Sequence, residues 1–134
     1  MKRGRLWIVG LLLSLLSLQA CGPVSITLPD APIGPACLGG YFVNHSDPRG
    51  VRIVELMPGG PLDLARIRIN DVIVSINQYS TPTVSDLSLV VRAYRPGDIV
   101  VVRHARERLF GLYWDYYNTS VRLGELRGEA CILR

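Results

Sequence analysis

Cysteine and histidine are scarce: three and two in a chain of 134 residues. His45 and His104 lie far apart, and no Cys-x-x-Cys or His-x-x-x-His spacing occurs, so the sequence offers no zinc site. No serine sits in a Gly-x-Ser-x-Gly elbow. His45, Ser46 and Asp47 are consecutive, which suits a turn and not a triad. None of the glycine-rich segments ends in Gly-Lys-Ser/Thr, which excludes a phosphate loop. The expectation is a noncatalytic chain with no cofactor and no metal. No apolar run reaches the roughly 20 residues that a spanning helix needs.

What is present starts with a basic end, Lys2, Arg3 and Arg5, followed by an apolar stretch from Leu6 to Leu18. A basic flank, a short apolar core and a small residue before the break are the parts of a secretory signal. The break, Leu18-Gln19-Ala20-Cys21, resembles the lipobox of bacterial lipoproteins. That resemblance implies removal of residues 1–20 and attachment of a diacylglyceryl group to Cys21. Gly22 after the cysteine implies sorting to the outer membrane in a Gram-negative cell, facing the periplasm.

Losing that segment changes the charge argument. Of 15 Lys and Arg, three lie in residues 1–20, and none of the 11 Asp and Glu does. The remaining 114 residues carry 12 basic and 11 acidic side chains. Such a near-neutral chain lacks the electrostatic footprint of nucleic-acid binding. Its length suits one hydrophobic core.

Residues 21–36 include Pro23, Pro29, Pro32 and Pro35 and read as an extended tether. Strand signals follow at 41–43, 51–56, 71–77, 98–103 and 121–123, with the second alternating apolar and polar residues. A short helix is expected at Pro61–Ala65, with proline in its first turn. A longer one is expected at Val84–Tyr94, capped by Thr83 with Asp86 three residues on. Leu87, Val91 and Tyr94 share a face and should meet the core.

Four segments then form a pattern. Gly50 to Pro61, Asn70-Asp71-Val72-Ile73, Arg95-Pro96-Gly97-Asp98 and Val121 to Glu125 together resemble PDZ domains of the high-temperature-requirement envelope proteases. The resemblance implies an α+β fold: a small, partly open β-barrel or sandwich of five to six strands with one short and one longer helix. It spans residues 37–131, leaving 132–134 as a tail. It also implies binding of an extended or C-terminal peptide of an envelope protein, added as a strand to a sheet edge. The loop and strand that would do this are Leu38, Gly39, Gly40, Tyr41, Phe42 and Val43. Leu87, Ser88 and Val91 would form the opposite wall.

Cys37 and Cys131 bracket this region. An oxidising compartment permits a disulfide, and domain ends commonly lie close together. The alternative is two separate thiols, and pairing within or between chains stays open. Asn70 and Arg66 stand where the family has glycine, so a strained turn is expected at Arg66.

The largest departure is the insert at 106–118, which holds Phe110, Tyr113, Trp114, Tyr116 and Tyr117. Either these aromatics pack against the domain, or they present a surface to a partner or a membrane interface. In the second case the chain could be a structural envelope lipoprotein with a degenerate groove, contacting its partner through Tyr113, Trp114, Tyr116 and Tyr117.

Overall fold

The computed structural model describes residues 33–133. The signal segment, Cys21 and the tether up to residue 32 lie outside the described residues. Nine strands and two helices follow in order: β1 (Ala36–Cys37), β2 (Gly40–Ser46), β3 (Arg49–Leu56), α1 (Pro61–Leu64), β4 (Val72–Ile76), β5 (Tyr79–Ser80), α2 (Val84–Arg92), β6 (Ile99–Arg108), β7 (Tyr113–Arg122), β8 (Gly124–Arg127) and β9 (Ala130–Ile132). This is an α+β fold with one short and one longer helix, as the sequence predicts.

The main sheet runs β2-β3-β4-β6-β7, with β5 beside β4. Every pairing is antiparallel. Its core side chains are β-branched or aliphatic: Val51, Ile53, Ile73, Ile76, Val100, Val102 and Val121, joined by Leu62 from α1 and by Leu87 and Val91 from α2. Burying the two α2 residues contributes about 1.5–3 kcal/mol each.

Helix α2 starts as expected. Thr83 is extended, its Oγ1 accepts the Asp86 N–H at 3.2 Å, and it also donates to Asp86 Oδ2 at 2.6 Å. In α1, Pro61 occupies the first turn, and the Gly59 N–H donates to Asp63 Oδ2 at 2.8 Å. Arg66 and Asn70 adopt φ 62° and 73°. The backbone thus keeps the left-handed turns that glycine would make without strain.

Three features depart from the sequence reading. First, the folded unit begins before Cys37. The Gly34 N–H donates to Glu125 Oε1 at 2.8 Å, the Leu126 N–H donates to Pro35 O at 2.8 Å, and Ala36 pairs with Glu125. Second, Val121 and Arg122 are the last two residues of a ten-residue strand paired with β6 along its whole length. Third, a second sheet, β1-β8-β9, covers one end of the fold. The disulfide between Cys37 and Cys131 (Cα–Cα 5.9 Å) joins the two outer strands of that sheet.

The insert forms the outer half of the β6–β7 hairpin. At its turn, Leu109, Phe110 and Gly111 all have positive φ, 51°, 55° and 86°. Holding each bulky side chain in that region costs roughly 1–2 kcal/mol.

Candidate functional site

The site begins with the glycines before β2. Gly39 has φ 78°, and a Cβ there would come within 2.9 Å of Pro61 Cδ. A Cβ on Gly40 would meet Glu55 O at 2.9 Å. Both positions therefore require glycine if the loop is to lie tightly on α1, at Gly39, and on β3, at Gly40. Two backbone bonds hold it there: Leu62 N–H to Leu38 O at 3.1 Å and Met57 N–H to Gly39 O at 3.0 Å.

Beside the loop, β2 is the terminal strand of the main sheet. Helix α2 lies next to this strand, and one bond ties them at the helix start: the Val84 N–H donates to Asn44 Oδ1 at 2.8 Å. Between strand, loop and helix lies a pocket of about 180 Å³. Leu38, Gly39, Gly40 and Phe42 line one side of it, and Leu87, Ser88 and Val91 line the other. Seven of the nine residues expected at a groove are thus brought together. Tyr41 and Val43 are not part of this lining; they are 52% and 38% exposed. Side chains alternate along a strand, so those flanking Phe42 face away from the side it lines.

Six further lining residues were not anticipated: Ala36, Cys37, Met57, Arg92, Leu126 and Cys131. Four of them come from the second sheet. Its strands are two to four residues long and carry no periodicity to read. Arg92 is the one charged residue in the lining. It follows Ser88 by four positions, a helical spacing and the signal that could have found it.

A heavily bonded polar cluster lies elsewhere, at the residue before β4 and on β6 and β7. Asp71 is 1% exposed and His104 2%. The His104 Nδ1–H donates to Asp71 Oδ2 at 3.0 Å, and Nε2 hydrogen-bonds the Thr119 hydroxyl at 2.8 Å. Arg106 donates to both Asp71 oxygens, from Nε at 3.0 Å and from the terminal nitrogen at 2.8 Å. Burial alone would raise the Asp71 pKa. The hydrogen bonds from His104, Arg106 and the Arg68 N–H outweigh it and hold the carboxyl at about 2. The bonds from Arg106 to Asp71 in turn raise the Arg106 pKa.

The aromatics of the insert divide. Tyr117 stacks on His104 at 5.5 Å and lies under Arg106 at 5.0 Å; Trp114 meets His45 edge-on at 5.5 Å. Tyr116 lies under Arg103 at 5.1 Å. Beyond them the turn points into solvent, with Phe110 fully exposed. Among the described residues, no group of three or more His, Cys, Asp or Glu could hold a metal ion, and no helix is long and apolar enough to cross a membrane.

A family model described as PDZ domain matches residues 30–102. No curated protein sequence matches the chain. Several solved structures share its fold. A serine endoprotease from Yersinia pestis is 21% identical, with a TM-score of 0.59 over 73% of this chain and 32% of that one. The HtrA-type protease AlgW, solved with a decapeptide, is 16% identical, with a TM-score of 0.58 over 69% and 30%. The HtrA3 PDZ domain bound to the phage-derived ligand FGRWV is 17% identical, with a TM-score of 0.54 over 68% and 86%. The chain spans about a third of the length of the two proteases. What it shares with them over that length is the fold.

Proposed function

The chain belongs to the PDZ domain family, and from that premise we infer that it binds the C-terminal or extended segments of other proteins in the groove between β2 and α2. The observation that carries this reading is the juxtaposition of a strand that, among the described residues, has no strand on its outer side, a glycine loop at its start and an apolar pocket behind it. A peptide laid along β2 would continue the sheet by backbone hydrogen bonds. Its last side chain would enter the pocket, and its carboxylate would meet the loop amides and Arg92. Structures of the same fold are described with a decapeptide and with a five-residue ligand bound.

The anchored part of the reading rests on residues 1–21. Export and lipidation at Cys21 would place the domain on the bacterial outer membrane, facing the periplasm. There it would act as a noncatalytic adaptor that holds the tails of envelope proteins for a protease or a secretion complex.

The test is a screen of the intact chain against random peptides displayed with free C-termini. A single enriched apolar terminus, lost when the peptide is amidated, is the expected result. A folded chain that enriches nothing would overturn the groove reading. Mass spectrometry of the membrane-extracted protein checks lipidation separately, by the mass added at Cys21.

A further inference from the structure

The β6–β7 turn carries the two most exposed large apolar side chains of the described residues, Phe110 and Leu112, with Leu109 and Tyr113 beside them. Phe110 is 103% exposed, Leu112 76%, Tyr113 62% and Leu109 61%. Two of these four are held in the left-handed backbone region. Strain of this kind persists where the surrounding structure or a function imposes it.

Behind the tip the hairpin changes character in layers. Arg108, the register partner of Tyr113, pairs at 3.1 Å with Asp115, two positions further from the tip. Tyr116 and Tyr117 follow with Arg103 and Arg106 over their rings. An apolar end, then neutralised charge, then tyrosines beneath arginines is the sequence of environments met on passing outward from lipid chains through headgroups.

The chain's dimensions agree. Ala36 pairs with β8, which follows directly from the end of β7 far from the tip. The ten residues of β6 place the tip about 30 Å from that end. Twelve residue steps separate Cys21 from Ile33, a contour of about 40 Å when extended. A lipid on Cys21 and the hairpin tip can therefore reach the same bilayer.

We propose that the β6–β7 tip inserts Leu109, Phe110 and Leu112 into the interface of a lipid bilayer, giving the domain a second membrane contact besides its anchor. The proposal uses the anchored reading for the reach of the tether. It makes no use of the groove, which faces another part of the fold.

The experiment uses the intact chain, expressed in bacteria and reconstituted in vesicles of phosphatidylethanolamine and phosphatidylglycerol. Trp7→Phe and Trp114→Phe clear the background, and Phe110→Trp supplies one reporter at an already exposed position. A parallel chain carries Tyr79→Trp, at an exposed site on β5. Brominated acyl chains should lower emission from position 110 about two-fold, the depth expected of an interfacial segment, and leave position 79 unchanged. Equal emission with and without bromine at position 110 overturns the proposal, as does equal quenching at both positions. Flotation of the same vesicles reads anchoring by itself. A chain that floats with position 110 unquenched keeps its anchor and loses this tip contact. A chain that neither floats nor is quenched loses both. Photo-crosslinking from position 110 to a single envelope protein, without quenching, would assign the tip to a protein and overturn insertion.

Discussion

Asn44 Oδ1 accepts the first backbone N–H of α2, from Val84, at 2.8 Å and across 40 positions of sequence. One bond therefore joins the two walls of the groove at the helix start, where an amide would otherwise lack an intrahelical partner. Asn44→Ala should lower stability by about 0.5–1 kcal/mol, the net worth of an ordinary hydrogen bond. Urea denaturation of both proteins measures it.

Ser88 lines the pocket yet is exposed. Ser88→Tyr should block the groove while leaving the core intact, so peptide binding is lost at an unchanged melting temperature. Arg92→Glu should weaken peptides with a free carboxylate about ten-fold and amidated peptides little, since it removes one charge-assisted contact. Fluorescence anisotropy with paired peptides separates the two.

Asp71 links stability to pH. Its folded pKa, about 2, lies below the ordinary 3.8. A depressed carboxyl contributes its stabilisation above the unfolded value and loses it as pH falls through the folded one. The contribution is about 2 kcal/mol, complete above pH 5 and lost between about pH 4 and 2. Asp71→Asn should be less stable at pH 7 and flatter across that window, as followed by thermal melts at each pH.

The Cys37–Cys131 bond closes a loop of 94 positions. Replacing both with serine should cost about 4 kcal/mol through the entropy regained by the unfolded chain. Because both residues line the pocket, peptide affinity should fall as well. Guanidinium melts and binding, each with and without reductant, check the two effects.

Gly39→Ala would place a methyl group 2.9 Å from Pro61 Cδ in a residue with φ 78°. The expected loss is about 1–3 kcal/mol, from backbone strain and contact together. The mutant should also bind peptide more weakly than Gly59→Ala, whose added Cβ meets nothing within 4 Å.

The parts of the fold that could be read in sequence are those with a local cause. Thr83 and Asp86 mark the start of α2, and Leu87 and Val91 mark its buried face, because capping and helical spacing act within a few residues. Gly39 and Gly40 flag the loop for the same reason. Tyr41 and Val43 lie on the strand that would pair with a peptide but outside the pocket lining, because facing is decided by strand alternation from Phe42. The Asp71–His104–Arg106 cluster is assembled by register: β4 and β6 pair across some 30 residues, and nothing near Asp71 announces its partners. Leu126 reaches the pocket only because the β1-β8-β9 sheet folds over that end. Strands this short are specified by their neighbours and by the sulfur bridge.

That bridge also fixes how the chain carries load. Tension entering from the N-terminal side reaches Cys37 before β2, and tension from the other end reaches Cys131. Between those points the force crosses a covalent bond, while both helices and strands β2 to β8 lie on the slack side. Pulled by its ends, the protein would lengthen only by the residues outside that loop and keep its groove folded. Reduced, it would have to resist the same pull through hydrogen bonds alone.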